Sequence, residues 1–511
     1  MVDNFKKLSE YISMLDNRGL IFSENSPLFE SEPLIRYISY DSKDVKEGTL
    51  FICKGLNFKR EYLSEAIKKG AVACVAEKGS AIAEGELPAV PMIVISDMRT
   101  AMSDIGAMFY DSVWNSRLKM VGITGTKGKS TTATFVKAIM DDFLESAGRK
   151  PMGFLSGIYN YDGKERKSSE KMTTLETLEL HKHLESCVAN DLEYLVMETS
   201  SQALKYKRTE ALKYAVCGFL NVTEDHISDR EHPTFEDYFE SKLMIFRQSD
   251  IACINNEIEP ELYERVMTAA KKACAKVVTF GRNEGADYYG YDVKSSPSEL
   301  SFKLRHPMGE DEIRVSIGGY FNASNALAAI AICSVLGASV ENIKRGLGNV
   351  KVEGRMELYR LRDKDVDVIV DYAHNRVSYE TLFDNIAKLY PDRKKMLVFG
   401  VHGNKAYNRR KDLGEMAQKY ADKVVLTEQD IGTDDLKQIW NDILDFLDEK
   451  KVAAKIENRV EAIKYGLEII EDGWVMVIAG NGADRFQKRG LICIPEPMDG
   501  EVVQEYIEKH R

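Results

Sequence analysis

The strongest structural signal in this chain is the segment Val121-Gly122-Ile123-Thr124-Gly125-Thr126-Lys127-Gly128-Lys129-Ser130-Thr131-Thr132, which follows an apolar run and opens a helix-like stretch. Its glycines let the backbone turn tightly and aim N–H groups at phosphate oxygens, and a helix N-terminus favours an anion. Lys129 adds a positive charge, and the Ser130 hydroxyl can bind Mg²⁺. The segment therefore predicts a phosphate-binding loop for a nucleoside triphosphate.

The match to the common pattern G-x-x-x-x-G-K-[ST] is partial. That pattern requires a glycine where this chain has Ile123, and Gly122 lies one residue too early. The position of the segment, between a strand signal and a helix signal, still favours a phosphate site because the mechanism needs that context.

Length and composition limit the class of protein. The 511 residues exceed what one hydrophobic core holds and predict about three domains. A net charge of -11 argues against a nucleic-acid partner, which requires a basic surface. The chain has no 18-residue apolar span, and residues 1–15 lack the apolar centre of a signal peptide, so we expect no membrane partner and a cytoplasmic location.

The eight cysteines are spread singly, without a C-x-x-C pair. We interpret them as reduced core residues. Neither the cysteines nor the eight histidines show the regular spacing of a zinc site. We therefore expect neither a zinc site nor a disulfide framework.

Residues 1–113 are predicted to form a small α/β domain, because apolar runs such as Leu50–Cys53 and Ala71–Ala76 alternate with helix-like stretches. Ser42 lies in a polar segment just before a strand, where a ligand can be held. The alternative interpretation of this segment is a plain turn. The polar residues 111–119 are predicted to link this domain to the next.

Residues 114–347 are predicted to form a doubly wound sheet, with strands at Tyr194–Met197, Val216–Leu220, Ile251–Ile254 and Val277–Phe280. Glu198 closes the first of these strands and His226 follows the second. Ligands of such sheets collect where strands end, and a carboxylate there can bind Mg²⁺. The alternatives are a capping acid for Glu198 and a core histidine for His226.

A helix is predicted within residues 231–246, because Pro233 and Thr234 begin a stretch with aromatic residues at helical spacing. This helix is expected beside the strand ends that carry Glu198 and His226. Because lysine side chains are mostly exposed, composition alone predicts that Lys242 on this helix is a surface residue.

Residues 348–511 are predicted to form a third α/β unit, with strands at Val366–Val370, Met396–Phe399, Lys423–Leu426 and Val475–Ile478. A polar turn follows each strand, at residues 371–375, 400–405, 427–433 and 480–484. These turns predict a second binding surface along one edge of a sheet.

Six ordered motifs resemble the Mur ligase family, and the resemblance covers nearly the whole chain: residues 125–132, 197–201, 221–226, 321–325, 354–357 and 371–374. The resemblance implies three α/β domains: a small N-terminal domain that binds a UDP-sugar, a central ATPase-like domain with a phosphate loop, and a Rossmann-like C-terminal domain that binds an amino acid. The chain is most similar to the MurE group, of the lysine-adding streptococcal type. These ligases add the third peptide residue to UDP-N-acetylmuramoyl-L-alanyl-D-glutamate in peptidoglycan precursor synthesis.

The resemblance also implies ATP and Mg²⁺ as cofactors and a role for each site residue. The implied nucleotide-binding residues are Gly125, Thr126, Lys127, Gly128, Lys129, Ser130, Thr131, Asn325, Arg355 and Asp371. The implied metal ligands are Ser130, Glu198, His226 and a carbamylated Lys242. The implied catalytic residues are Lys129, Glu198, His226, Lys242 and Arg355. The implied substrate residues are Ser42, Thr173, Thr174, Ser200 and Arg208 for the UDP-sugar dipeptide, and His374, Lys405, Asp430, Gly480 and Asp484 for the amino acid.

The motif that selects the amino acid differs from that of the diaminopimelate-adding relatives. Their Asp-Asn-Pro-Arg is aligned here with Gln429-Asp430-Ile431-Gly432, so the arginine that grips the distal carboxylate is absent. We expect L-lysine, with Asp484 accepting its α-ammonium, Lys405 meeting its α-carboxylate, and Asp430, Asp434 or Asp435 receiving its side chain. The chain matches neither usual lysine motif, so ornithine and diaminopimelate stay open.

Two other functions are weighed against this one. A ligase like folylpolyglutamate synthase is opposed by the complete first domain. A non-catalytic nucleotide-binding partner subunit is opposed by the intact Lys129, Glu198, His226 and Lys242. We expect a monomer that closes its domains before chemistry, which would protect an acyl phosphate from water.

Overall fold

The structure is a computed structural model that describes residues 5–25, 32–55, 58–112, 114–168, 172–224, 227–228, 231–404 and 407–510. Three large sheets organise the chain and lie within residues 21–95, 119–315 and 357–479. Helices pack on both faces of each sheet. Among the helices described, none is both long and apolar enough to cross a membrane.

The N-terminal unit contains β1 (Lys6–Lys7), α1 (Leu8–Asn17), β2 (Ile21–Asn25), β3 (Leu34–Ile35), β4 (Tyr37–Ser39), β5 (Thr49–Ile52), α2 (Arg60–Lys68), β6 (Ala71–Glu77), β7 (Met92–Ile95) and α3 (Met98–Phe109). Its sheet has the order β2-β7-β6-β5-β4, in which β4 to β7 are parallel. The predicted strands at residues 50–53 and 71–76 are confirmed as β5 and β6. Because these strands are parallel, the segments that follow β4, β5 and β7 lie along one edge.

The central unit contains α4 (Trp114–Arg117), β8 (Lys119–Thr124), α5 (Lys129–Ser146), β9 (Gly153–Leu155), β10 (Tyr159–Tyr161), β11 (Lys167–Ser168), α6 (Thr177–Ala189), β12 (Tyr194–Glu198), α7 (Ser201–Lys205), β13 (Tyr214–Phe219), α8 (Phe235–Leu243), β14 (Ser249–Asn255), α9 (Pro260–Ala273), β15 (Lys276–Gly281), β16 (Tyr288–Ser295), β17 (Leu300–His306), β18 (Gly309–Val315), α10 (Asn322–Val335) and α11 (Val340–Gly348). The sheet order is β11-β10-β9-β12-β8-β13-β14-β15-β16-β17-β18. The four predicted strands are confirmed as β12 to β15, and the doubly wound class is confirmed because helices cover both faces.

Two features of the central unit differ from the sequence interpretation. Strands β16, β17 and β18 extend the sheet with antiparallel pairs that were not predicted. The segment expected to link the first domain to the phosphate loop, residues 111–119, contains helix α4, which was not predicted. Trp114 on that helix is fully buried and makes an edge contact with the ring of His181, with 5.1 Å between centroids. The polar composition of residues 111–119 gave no indication that Trp114 packs into the core.

The C-terminal unit contains β19 (Glu357–Arg360), β20 (Asp367–Asp371), α12 (Arg376–Leu389), β21 (Lys395–Phe399), α13 (Asn408–Tyr420), β22 (Lys423–Leu426), α14 (Leu436–Leu444), β23 (Val452–Lys455), α15 (Arg459–Ile469), β24 (Val475–Ala479), β25 (Phe486–Arg489), β26 (Ile492–Pro495) and α16 (Asp499–Lys509). The sheet order is β19-β20-β24-β21-β22-β23, parallel except for β19. The four predicted strands are confirmed as β20, β21, β22 and β24. The hairpin of β25 and β26 was not predicted.

Candidate active site

The phosphate loop lies between the end of β8 and the start of α5, as its sequence predicts. Gly128 stands at the helix N-terminus with a φ of 86°, in the left-handed region that favours glycine. A Cβ at this position would overlap the side-chain oxygen of Asn325 on α10. The glycine is therefore required both by its backbone angle and by the close approach of Asn325.

Asn221, which follows β13, holds the loop in shape. Its side-chain oxygen accepts a hydrogen bond from the Lys127 N–H at 2.9 Å, and its amide nitrogen donates to the Lys127 carbonyl at 3.1 Å. Its own carbonyl accepts from the Thr126 N–H at 3.1 Å. Because three hydrogen bonds of one residue fix two loop residues, the loop has its shape without a ligand.

Helix α8 supports the loop from the other side. The Tyr238 hydroxyl donates to Thr126 Oγ1 at 3.0 Å, and Lys242 Nζ donates to the Gly125 carbonyl at 3.0 Å. Thr234 caps this helix by accepting from the Asp237 N–H. The expected helix is therefore confirmed.

The interpretation of Lys242 as a surface lysine is wrong, because its side chain is only 1% exposed. Lys129, at the start of α5, donates to the same Gly125 carbonyl at 2.9 Å and to the Thr126 carbonyl at 3.2 Å. Two lysine amines thus share one carbonyl oxygen. The two side chains therefore converge on the same point of the phosphate loop.

Glu198 ends β12 directly beside the strand that leads into the loop, opposite Ile123. It is 2% exposed, and its Oε1 accepts from the Gly157 N–H at 2.8 Å. Ser130 lies half-buried in the first turn of α5, and Thr131 is buried behind it. The structure therefore places two predicted oxygen ligands at the ends of neighbouring elements. His226 lies outside the described residues.

Three of the predicted substrate residues form one cluster. Thr174 Oγ1 donates to the Glu198 carbonyl at 2.9 Å and accepts from the Ser200 N–H at 3.0 Å. Arg208 Nη1 donates to the Thr174 carbonyl at 3.2 Å. Thr173 is the exposed neighbour of this cluster.

Ser42 lies apart from this cluster, on the N-terminal unit. Its hydroxyl donates to Glu65 at 2.8 Å, and its carbonyl accepts from Lys69 at 2.8 Å. It follows β4, so it stands at the edge where the parallel strands of that sheet end.

Asp371 ends β20 and anchors the segment that enters the C-terminal unit. Its two oxygens accept from the N–H groups of Met356 and Ala373 at 2.9 and 2.8 Å. Burial raises the pKa of its carboxyl, although the guanidinium of Arg355 acts in the opposite direction. Arg355 also lies 4.3 Å from the centroid of the Tyr372 ring. Asp371 and Arg355 are thus neighbours, as expected for residues that act on one ligand.

The phosphate loop and the C-terminal edge face each other. Burial lowers the pKa of His374 well below its usual value, and the positive charges of Arg409, Lys127 and His402 lower it further. The charge of Lys127, on the phosphate loop, therefore acts on His374 at the edge of the other sheet. The His374 Nδ1 is 2.9 Å from the Tyr372 carbonyl.

The C-terminal edge carries two half-buried acids, Asp430 and Asp484. Burial raises the pKa of Asp484 to about 7; Arg355 lowers this pKa, and the nearby Asp430 raises it. Asp430 itself accepts from the Lys488 N–H of β25 at 2.7 Å. Gly480, which follows β24, has a φ of 113° and lies against the amide of Gln429, where a Cβ would overlap it. A cation is the ligand that relieves such crowding of carboxylates.

Two of the three acids proposed for the amino-acid side chain are engaged elsewhere. Asp434 pairs with Arg410 and accepts two hydrogen bonds from Asn404, and Asp435 caps α14 by accepting from Lys437 N–H. Asp430, whose Oδ2 lies 3.9 Å from His402 Nε2, is the third of these acids. Lys405 lies outside the described residues.

Some residues at these edges had no assigned role in the sequence interpretation. Asn221 and Tyr238 support the phosphate loop. The sequence could have indicated both roles, because Asn221 lies in one of the family motifs and Tyr238 lies on the predicted helix. Arg489 binds Glu428 through Nε and Nη2 at 2.7 and 2.5 Å, and also binds Glu496 at 2.5 Å. This ion-pair network joins residues about 60 positions apart and had no signal in the sequence.

The fold and the site define a multidomain phosphate-loop enzyme in which a second α/β domain faces the nucleotide site. Residues 123–333 match the model of the Mur ligase middle domain, and residues 354–482 match the Mur ligase, glutamate ligase domain. The chain is 36% identical over 482 residues to the UDP-N-acetylmuramoyl-L-alanyl-D-glutamate--L-lysine ligase of Enterococcus faecalis, covering 92% of this chain and 91% of that one. The chain belongs to the Mur ligase family.

Solved structures show the same fold. A UDP-N-acetylmuramoyl-L-alanyl-D-glutamate--2,6-diaminopimelate ligase aligns with a TM-score of 0.63 at 23% identity, over 95% of this chain and 98% of that chain. A MurF ligase of Thermotoga maritima in complex with ADP aligns with a TM-score of 0.60 at 18% identity, over 93% and 99% of the two chains. The three-domain α/β architecture of the family is therefore also that of this chain.

Proposed function

We propose that this protein is an ATP-dependent ligase that adds L-lysine to the γ-carboxylate of D-glutamate in UDP-N-acetylmuramoyl-L-alanyl-D-glutamate. The observation that carries the proposal is the phosphate loop, whose Lys127 is held by Asn221 and whose charge acts on His374 at the acidic edge of the C-terminal sheet. The substrate is taken from the name of the Enterococcus faecalis relative. We assign residues 1–113 to the UDP-sugar, 114–347 to ATP and 348–511 to the amino acid.

The nucleotide part of the site stabilises negative charge. We propose that the loop N–H groups and Lys129 hold the phosphates of ATP, with Asn325, Arg355 and Asp371 around the nucleotide. Transfer of a phosphoryl group between two anions needs positive charge on the moving oxygens, and Lys129 and Arg355 supply it.

Mg²⁺ fits the oxygen groups near the loop. The Ser130 hydroxyl and the Glu198 carboxylate are the donors that this hard cation prefers. Within the described part of the chain, no group of three histidine, cysteine or acidic side chains gathers as a metal site. A magnesium ion would therefore take further ligands from phosphate oxygens and water, as is usual for it, and His226 is a proposed additional ligand. When bound, the ion neutralises charge on the phosphates.

Lys242 is proposed to carry a carbamate. A carbamate forms only on a neutral amine, burial in general disfavours an ammonium group, and the Lys242 side chain is buried beside the phosphate loop. The modification replaces a second cation beside the loop with an anion. That anion would face the metal and balance the charge of Lys129.

The reaction follows from these parts. The γ-phosphoryl of ATP passes to an oxygen of the substrate carboxylate, ADP leaves, and an acyl phosphate forms. The α-amine of the amino acid, after losing a proton, attacks the carbonyl carbon, and phosphate leaves with the electron pair of the broken bond. Water must be kept out between these steps, which is the role we propose for domain closure.

The acidic edge supports a cationic amino acid. Asp484 is proposed to accept the α-ammonium beside Gly480 and His374, and Lys405 to bind the α-carboxylate. Asp430 is the acid proposed for the side-chain ammonium, because it lies near Asp484 and raises the pKa of that carboxyl. Diaminopimelate would bring a second carboxylate to this acidic edge, where Gly432 offers no cation.

An end-point assay tests the proposal. The protein is incubated with ATP, Mg²⁺ and UDP-N-acetylmuramoyl-L-alanyl-D-glutamate, and each of lysine, ornithine, diaminopimelate and glutamate is added in turn. We expect phosphate release and a nucleotide product heavier by one lysine residue. A folate acceptor with glutamate serves as the control for a ligase like folylpolyglutamate synthase, and absence of product with every acceptor would support a non-catalytic subunit.

A further inference from the structure

His232 is a buried side chain of the central unit, in the segment between β13 and α8, and it is 1% exposed. Its two ring nitrogens have partners on two different helices. Nδ1 lies 2.6 Å from Asp237 Oδ2 on α8, and Nε2 lies 3.0 Å from the hydroxyl oxygen of Ser201, the first residue of α7. One side chain thus connects three segments of the chain. These three residues are called the His232 bridge below.

The partners of His232 decide which ring nitrogen carries the proton. An ionised carboxylate only accepts hydrogen bonds, so Nδ1 donates to Asp237. Burial lowers the pKa of His232, and the charges of Lys205 and Lys242 lower it as well. Asp237 raises this pKa but does not outweigh them. The ring is therefore uncharged at neutral pH, and its Nε2 accepts from the Ser201 hydroxyl.

The His232 bridge has the same order of serine, histidine and aspartate as the triads of serine hydrolases. A triad serine must be open to its substrate. Ser201 is only 5% exposed, and its hydroxyl bonds to the His232 ring. These properties suit a group that holds other segments in place, not a nucleophile.

Each end of the His232 bridge is close in sequence to a proposed metal ligand. Ser201 follows shortly after Glu198, which ends β12. Asp237 precedes Lys242 on the same helix, α8. Because a helix and a strand end are rigid over such short stretches, fixing Ser201 relative to Asp237 also fixes the backbone of Glu198 relative to that of Lys242.

A second contact joins the same segments beside the bridge. Lys205 of α7 donates to the Glu231 carbonyl at 3.1 Å and to Asp237 Oδ2 at 2.7 Å. Asp237 Oδ2 is therefore shared by Lys205 and His232. The segment held in this way contains, in its sequence, the third proposed metal ligand, His226.

The His232 bridge also contacts the support of the phosphate loop. The rings of His232 and Tyr238 meet edge to face, with 5.2 Å between their centroids. The Tyr238 hydroxyl donates to Thr126 of the loop. A metal ion that binds both ATP phosphates and protein oxygens must be placed relative to this loop, so the bridge lies where such placement is set.

We propose that His232 is a positioning residue of the magnesium site, because it fixes α7 and α8 relative to each other through Ser201 and Asp237. The inference rests on the proposed function, in which Glu198 and Lys242 face the ion. Mg²⁺ demands near-ideal octahedral geometry, so a small displacement of one ligand weakens its binding. Removing a group that orients metal ligands typically costs about 10–100-fold in metal affinity.

The test compares His232→Leu, Ser201→Ala and the parent as full-length proteins. Binding of Mn²⁺ in the presence of ADP is measured by electron paramagnetic resonance, and binding of ADP without metal is measured by calorimetry. We expect His232→Leu to weaken Mn²⁺ binding at least about tenfold. Ser201→Ala breaks only one of the two hydrogen bonds and should cause a smaller loss in the same direction. Binding of ADP without metal should stay within about twofold, because the phosphate loop keeps its own hydrogen bonds.

Two conservative variants separate the two arms of the bridge. An asparagine amide can replace Nδ1 of the ring, and a glutamine amide can replace Nε2. His232→Asn therefore keeps the contact with Asp237, and His232→Gln keeps the contact with Ser201. Each should bind Mn²⁺ more tightly than His232→Leu, since each restores one arm. A loss that is the same in all three variants would contradict a role through these hydrogen bonds.

His306 provides a matched control within the same sheet. It is 8% exposed, and its Nε2 lies 3.0 Å from Asp311 Oδ2, so it also forms a buried pair of histidine and aspartate. It lies on β17, which is five strands away from β8 in the order of the sheet. His306→Leu should lower the melting temperature as His232→Leu does but leave Mn²⁺ binding within about twofold of the parent.

Three results would overturn the positioning role. Mn²⁺ binding within about twofold of the parent in both His232→Leu and Ser201→Ala would separate the bridge from the metal site. An equal loss of ADP binding without metal would show that the bridge supports the phosphate loop instead. An equal loss of Mn²⁺ binding in His306→Leu would show a general effect of lower stability. If the parent binds Mn²⁺ in a manner that depends on His232 but ligates no amino acid, the proposed function fails while the positioning role stands.

Discussion

The phosphate loop and the acidic edge of the C-terminal sheet face each other but are built in opposite ways. The loop is one contiguous stretch whose shape is held by neutral hydrogen bonds from Asn221 and Tyr238 to its backbone and hydroxyl groups. The acidic edge gathers Asp430 and Asp484 from separate turns, and Arg355 and Asp430 shift the pKa of Asp484 in opposite directions. The loop is thus held by neutral hydrogen bonds, whereas the charge of the acidic edge depends on the balance of charges around Asp484.

This difference predicts which property is lost when each site is mutated. The loop is held by neutral hydrogen bonds, so it should keep its shape when one of its lysines is removed. Such a variant should lose catalytic activity and keep its stability. At the acidic edge the pKa of Asp484 is raised to about 7, so this carboxyl changes its charge near neutral pH, and its loss should appear as a pH-dependent loss of amino-acid affinity. The following changes separate the two sites, beginning with the largest effect.

The variant Lys129→Ala should abolish ligation, lowering kcat/KM by about a thousandfold or more, because the loop loses the charge that stabilises the transferred phosphoryl group. Its melting temperature should stay close to that of the parent, since Asn221 still holds the loop. Phosphate release and a thermal melt check both statements. The exposed Lys150→Ala is the control for a lost charge, and a Lys129→Ala enzyme within twofold of the parent would rule out the ATP site.

The variant Lys242→Ala should be inactive to a similar extent and should recover in part when a short carboxylic acid such as acetate is supplied, because the missing group is an anion near the metal. The same acid should not restore Lys129→Ala, which has lost a cation. Nuclear magnetic resonance with isotope-labelled bicarbonate reports the carbamate directly. A plain amine at Lys242 in the active enzyme would contradict the assignment.

The preference between lysine and diaminopimelate tests the role assigned to the acidic edge. Lysine should be preferred by about a hundredfold or more in competition, since an unpaired carboxylate at this edge costs on the order of a few kcal/mol. Gly432→Arg should not create a diaminopimelate ligase. Gly432 has a φ of 58°, and a Cβ there would overlap the side-chain oxygen of Asn404, so the new arginine disturbs the loop. Faster incorporation of diaminopimelate by the parent would reverse the assignment.

The pH dependence of lysine binding is the smallest expected effect. Burial holds the pKa of Asp484 at about 7, so KM for lysine should fall from about pH 6 to about pH 8 as the carboxylate ionises. Asp484→Asn should raise KM and flatten this dependence, while KM for ATP keeps its parent profile. A KM for lysine that does not change with pH in the parent would exclude Asp484 as the ammonium acceptor.

The raised pKa of Asp484 also predicts how the stability of the folded protein depends on pH. Its pKa is higher in the folded than in the unfolded chain, so its contribution to stability is complete at low pH and is lost as pH rises towards about 7. Asp484→Asn should therefore raise the melting temperature relative to the parent at about pH 8 but not at about pH 4. A larger gain at the lower pH would show that the carboxyl is stabilised as an anion in the folded protein.

The amino-acid sequence by itself determined the phosphate loop, the eight predicted strands of the two larger sheets, and the helix that carries Lys242. Each of these signals is local: a glycine pattern, an apolar run or a helical spacing expresses the backbone preferences of neighbouring residues. The ordered motifs then indicated the family, and with it the roles proposed for Lys129, Glu198 and Asp371.

Only the tertiary structure decided which charges meet. It buried Lys242 beside Lys129, engaged Asp434 with Arg410 and Asn404, and brought Lys54 and Arg99 to Glu176. The physical reason is that the environment of a charge depends on the packing of distant segments, because burial and Coulomb interactions act through space and not along the chain. The sequence can therefore place a lysine on a helix, but only the packed structure shows which groups it contacts.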